Sequence, residues 1–132
     1  MKTAFTTYAA ENRAKGHYDT ARRIEVEGKI CRKLVQHALK SHFTVSVHDG
    51  EDWVVKSSSN LNAIMIELFA TDSDTLVFRL PRGEGQKLGD KVGTVSLIYG
   101  NDGNDVISDW SSTDLETFTA WLKPVTDYAN TL

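Results

Sequence analysis

The chain has 132 residues, 40% of them hydrophobic and 25% charged, with a formal net charge of −3 and a single cysteine, Cys31. That length supports one domain with its own core, and the composition is neither that of a disordered nor of a fibrous protein. No apolar run approaches the roughly 18–20 residues that span a bilayer, and one cysteine excludes an internal disulfide.

The opening MKTAFTTYAAENRAKG has no apolar stretch of the kind a secretory signal needs, so a cytoplasmic location is expected. Residues 3–14 predict a short helix with Thr3 as N-cap and Phe5, Tyr8 and Ala9 as its apolar residues. Gly16-His17 interrupts it, and Asp19 is the expected cap of a long helix reaching Ser41. Ile24, Cys31, Leu34, Val35 and Ala38 recur on one face of that helix, which makes Cys31 a buried small hydrophobe. Gly28 also falls inward. Glycine costs about 1 kcal/mol against alanine in a helix, so another element is expected to pass close by.

Phe43, Val45 and Val47 alternate with polar residues, as in a half-buried strand. Asp49-Gly50 signals a hairpin turn, and Trp53 to Lys56 is the returning strand. Ser57-Ser58-Ser59-Asn60 precedes a helix expected over Leu61 to Ala70, with Asp72-Ser73-Asp74 closing it. A third strand is predicted over Thr75 to Leu80, stopped by Pro81, and a glycine-rich loop then runs to Asp90. Strand four is expected over Val92 to Tyr99, GNDG (100–103) as a turn, and strand five over Asp105 to Trp110. Thr113 to Glu116 reads as a capping box for a last helix, which Pro124 should end or kink. All three tryptophans, Trp53, Trp110 and Trp121, are expected to pack inward.

The order ααββαβββα with tight hairpins predicts a single α+β domain over 1–132. Its sheet has five mainly antiparallel strands, with helices on one face. Residues 1–41 form its helical part, 42–111 the sheet with one inserted helix, and 112–132 the closing helix. Val54, Val77, Ile98 and Ile107 are expected to face outward, which leaves a homodimer through that face or an open edge as an expectation.

Charge is unevenly divided. Residues 1–40 hold nine Lys or Arg against four Asp or Glu, and residues 41–132 hold six against fourteen, so the parts carry +5 and −8. The acids fall at turns: Asp49, Glu51 and Asp52 in the first hairpin, Asp72 and Asp74 before strand three, and Asp102, Asp105 and Asp109 around the last hairpin. The first and last of these groups are the candidate protein-binding residues, an acidic surface of the sort that meets a basic groove. Arg13, Lys15, Arg22, Arg23, Lys29, Arg32 and Lys33 are the alternative, a nucleic-acid-binding flank on the first two helices.

No catalytic constellation emerges. His17, His37, His42 and His48 show no HxxxH or HExxH spacing, there is no G-x-S-x-G, and GEGQKLG (83–89) lacks the G-K-[ST] ending of a phosphate-binding loop. His48 beside Asp49 is the one candidate for a lone base. GNDGNDVIS (100–108) resembles a single calcium-binding nonapeptide of the repeat toxins, but one copy cannot stack on itself. A turn rich in Asn, Asp and Gly yields the same letters, so no metal or other cofactor is expected.

TTYAAENRAKGHYDTARRIE, VSVHDGEDWVVK and YGNDGNDVISDWS resemble a group of small proteins of unknown function encoded by phages, prophages and other mobile elements. The resemblance implies a genetic setting in which small proteins act by binding a host protein, in some cases to inhibit a defence system.

Overall fold

The computed structural model describes residues 2–132. It is an α+β domain of four helices and one five-stranded antiparallel sheet. The elements are α1 (Ala4–Ala14), α2 (Tyr18–Lys40), β1 (Thr44–His48), β2 (Trp53–Ser58), α3 (Leu61–Glu67), β3 (Ser73–Arg79), β4 (Lys91–Ile98), β5 (Ile107–Ser111) and α4 (Leu115–Ala129). The strands lie in the order β2-β1-β3-β4-β5, each pair antiparallel. The helices cover one face. None of the helices is long and apolar enough to cross a membrane, among the described residues.

Strand alternation builds the core. Val45 pairs with Phe78 and Val47 with Leu76, so these four point to the helical side, where Val95 and Leu97 join them. From the helices come Ile24, Ile30, Cys31, Leu34 and Val35 of α2, Ile64 and Met65 of α3, and Phe118 and Leu122 of α4. Burying each such large side chain contributes about 1.5–3 kcal/mol. Gly28 meets the expected close approach, since a Cβ there would lie 3.0 Å from Cβ and Cγ of Phe5. That contact seats α1 on α2.

Several boundaries differ from the sequence expectation. The N-cap of α2 is His17, which makes no side-chain cap bond, while Asp19 sits in the first turn, where its charge suits the helix dipole. Helix α3 stops at Glu67 rather than Ala70, because Phe69 adopts φ 66° and its N–H donates to the Asp74 carboxylate at 3.0 Å. Strand β3 therefore starts at Ser73 and carries Asp74 inside the sheet. The cap of α4 is Asp114, one residue beyond the predicted Thr113; it accepts from the Thr117 N–H at 3.2 Å. Pro124 neither ends nor breaks α4 into two elements. Its ring is exposed, while Leu122, Val125 and Ala129 hold the next turn against the core.

Irregularities in the ladder redirect side chains. Between Val47 and His48 the register with β2 shifts, so His48 opposes Trp53 and Val54 turns toward the core. A second shift between Ser96 and Leu97 sets Ile107 opposite Leu97, also against the core. Two of the four residues expected to face outward are thus turned in. A third, Val77, does lie on the outer face but is only 6% exposed; Ile98 alone is open, at 41%.

Gly93 fixes how closely α4 approaches the sheet. A Cβ at this position would lie 2.5 Å from the Phe118 ring, itself packed in the core. Gly93→Ala should therefore lower unfolding free energy by about 1–3 kcal/mol in denaturant titrations, through forced movement of a buried ring. An unchanged midpoint would mean that α4 has room to shift.

Candidate functional site

Antiparallel order brings three connections to one end of the sheet. His48 pairs with Thr75 and Ser73 with Ile98, so the β1–β2 turn, the α3–β3 connection and the β4–β5 turn share that end. It carries Asp49, Glu51, Asp52, Asp72, Asp102 and Asp105, six carboxylates from three segments separated in sequence. The two hairpin tips lie about three strand spacings apart, roughly 14 Å. None of the six takes part in an ion pair among the described residues. Asp109, grouped with them on sequence, lies elsewhere: it opposes Ser96 on the bare face of the sheet.

Each turn is held by its own polar contacts. The Asp49 carboxylate accepts from the Glu51 and Asp52 N–H groups at 2.9 and 2.8 Å, and these two bonds hold its pKa below the ordinary value. The Thr71 hydroxyl lies between the Ser73 carbonyl at 2.9 Å and the Asp49 carbonyl at 3.1 Å and shares its one proton between them, linking the α3–β3 connection to the first hairpin. In the second turn Asp105 accepts from the Asp102 N–H at 3.2 Å. Gly100 and Gly103 have φ of 97° and 91°, so the glycines of GNDGND answer a backbone need. No group of three or more His, Cys, Asp or Glu side chains is arranged to hold a metal ion, among the described residues.

Behind this end lies a buried polar knot that the sequence did not announce. Glu27 is fully buried on α2; its Oε2 accepts from the Gly100 N–H at 2.8 Å, and Arg23 Nε stands 3.5 Å from its Oε1. Asp74, 2% exposed, accepts from the Tyr99 hydroxyl at 2.6 Å and from the Phe69 N–H at 3.0 Å. Burial raises the pKa of both carboxyls against the lowering effect of these hydrogen bonds. The Cys31 thiol is pushed well up, first by burial and then by the charges of Glu27 and Asp74. The Tyr99 hydroxyl is raised as well, chiefly by burial. Spacing offered one clue, since Arg23 and Glu27 stand four apart on a helix.

That knot removes Arg23 from the basic flank, because its guanidinium turns inward to Glu27. Arg13 is paired with Glu25. Lys15 caps the end of α1. Arg22, Lys29, Arg32 and Lys33 remain along the outward side of α2, joined by Lys40 and partly neutralised by Glu25 and Asp19. Lys33 stands over the Tyr128 ring at 5.5 Å. His48, the candidate lone base, accepts the Gly50 N–H at Nδ1 (3.1 Å) and meets the Trp53 ring edge to face; it supports the hairpin. Trp53 is 47% exposed, a correction to the expectation that all three tryptophans pack inward; the register shift beside it turns its ring to the bare face.

The raised carboxyls of Glu27 and Asp74 have a signed consequence. The folded chain holds these protons more tightly than the unfolded chain, whose values stay near 4.5 and 3.8. Their contribution to stability is therefore full below those values and is lost as pH rises through the folded ones. Relative to a Glu27→Gln/Asp74→Asn double variant, the native chain should lose stability as pH rises above 4.5 in guanidinium titrations. A difference that does not change with pH would contradict this. No protein family, curated protein or solved structure matches the chain.

Proposed function

We propose that this domain is a non-enzymatic binding protein that captures a host protein through the acidic end of its sheet. The observation that carries the reading is the convergence of six carboxylates, free of ion pairs among the described residues, from three separate connections. A surface of this kind attracts a basic partner over long range and docks it by charge-assisted hydrogen bonds. The buried ties of Gly100 to Glu27 and of Phe69 to Asp74 support it further, because they hold two of the three connections in place before any partner arrives. The setting we propose is that of a mobile-element accessory protein, as the sequence resemblance to small proteins of phages and other mobile elements implies, with inhibition of a defence system as the proposed use.

The test is a triple reversal, Glu51→Lys/Asp72→Lys/Asp102→Lys, at positions whose carboxylates form no hydrogen bond within the chain, among the described residues. The tagged native chain should retain a stoichiometric protein from nuclease-treated host lysate. The triple variant should lose it and Asp109→Lys should keep it. Retention by the triple variant would remove the acidic end from the interface.

A second reading, nucleic acid along α2, rests on Arg22, Lys29, Lys33 and Lys40. They lie on one outward stripe that spans 18 residues, about 27 Å at helical rise. It expects capture that vanishes with nuclease and affinity that falls steeply with salt in an Arg22- and Lys29-dependent way. Affinity that does not respond to salt would exclude it.

A further inference from the structure

We infer that the bare face of the sheet around Trp53 is a separate binding surface, one that takes single-stranded nucleic acid. Only six Lys or Arg occur after residue 40, and five of them, Lys56, Arg79, Arg82, Lys87 and Lys91, gather here. Lys56 and Arg79 line a groove of about 190 Å³ on the outer side of β1 and β2, with Trp53 and Leu88 as its apolar walls. Arg82 and Lys87 line the adjoining groove, beneath the 80–90 loop and next to Thr44. Lys91 stands directly opposite Arg79 in the β3–β4 register. None of the five is in an ion pair among the described residues. The acids near them are Glu84 and Asp90 in the loop, Asp109 across the sheet on β5, and Asp114, whose N–H donates to the same Ser112 hydroxyl that reaches the Val92 carbonyl. Asp52 precedes Trp53 at the acidic end, so the positive part of the patch runs from Lys56 and Arg79 toward the loop.

The loop is fixed against the sheet. Arg79 donates to the Gly89 carbonyl at 3.2 Å, and the Leu80 N–H donates to the Asp90 carbonyl at 2.8 Å. A Cβ on Gly89 would lie 1.7 Å from the Leu80 carbonyl oxygen, so the two arms of the loop touch at its neck. The rest of the face carries Thr44, Ser46, Thr75, Thr94 and Ser96 in neighbouring registers around a covered Val77. An exposed indole beside cations that are in no ion pair, among the described residues, is the combination that binds single strands. Cations follow the phosphates, and bases stack on the ring whatever their identity. An acidic peptide would satisfy the charges but leave the indole without a planar partner. A duplex hides the faces of its bases.

The test uses the full chain and fluorescence anisotropy with labelled 20-mers of oligo(dT) and oligo(U), a duplex of equal length, and polyglutamate as competitor. At least one of the two single strands should bind more tightly than the duplex and resist polyglutamate. With three to five phosphates engaged, affinity should fall roughly 20- to 130-fold between 50 and 200 mM salt. Trp53→Ala should weaken binding roughly 5- to 150-fold. Lys56→Gln and Lys91→Gln, both exposed and safe for folding, should each flatten the salt slope by about 0.7. No binding of either oligomer at 50 mM salt would overturn the proposal. So would a duplex bound as tightly, equal competition by polyglutamate, native affinity in the lysine variants, or a loss that follows Arg22→Gln/Lys29→Gln instead.

Discussion

Two buried carboxylates used as backbone acceptors set the geometry on which the rest depends. Glu27 holds Gly100 and Asp74 holds Phe69, and each bond spans elements that hydrophobic packing alone would leave free to slide. Removing a carboxylate from water costs several kcal/mol, and the arrangement does not recover all of it. Glu27 Oε1, Arg23 Nε and Asp74 Oδ1 remain without hydrogen-bond partners among the described residues. What the buried charges supply is position. Phe69 sits at a positive φ that a bulky residue rarely adopts, and the Asp74 carboxylate together with stacking on Phe5 (5.0 Å between centroids) keeps it there. Tyr99 closes the group, donating to Asp74 while its ring packs against Phe5 and Phe69.

From that anchoring follows an electrical polarity along the strands. Hairpins in an antiparallel sheet send alternate connections to opposite ends, and here the acid-rich turns all fall at one end. Arg79 and Lys91, with the loop between them, close the other. The polarity arises from topology combined with turn composition, not from any contiguous charged segment. A basic partner approaching this molecule is steered to the acidic end, and the steering weakens beyond a Debye length of about 8 Å at physiological salt.

Much of this was legible in the residues. Period-two alternation at Val45, Val47, Leu76 and Phe78 assigns the core face, and the helical stripe of α2 identifies what covers it. Asp49-Gly50 and GNDG mark the hairpins, whose glycines have the expected positive φ at 50, 100 and 103. Less legible was anything that depends on an extra residue in a strand. A shift in register between β1 and β2 turns Val54 inward and Trp53 outward, another between β4 and β5 turns Ile107 inward, and single-chain periodicity carries no record of the partner strand's count. Burial of Glu27 and Asp74 was equally hidden, because a carboxylate enters a core only when another segment supplies its donors. Those donors, Gly100 and Phe69, lie 73 and 5 residues away. Arg23 left the basic flank for the same reason. Asp109 left the acidic one because its register in β5 sets it opposite Ser96 on the outer face, away from the turn.

The same register shifts decide what the uncovered face can accept. With Val54 and Ile107 turned in and Val77 covered, the apolar residues that would have favoured packing a second sheet on it are gone. On the strands Trp53 and Ile98 remain as open large hydrophobics, set apart from each other, and the loop adds Leu80 and Leu88 beside the Trp53 groove. Burying the hydroxyls and cations around them against another apolar surface would strand polar groups without partners. A ligand that brings its own anions and keeps much of its water meets no such penalty. Five cations on one side, with an indole about half exposed, are thus what supports the proposed charged, wet partner on this face.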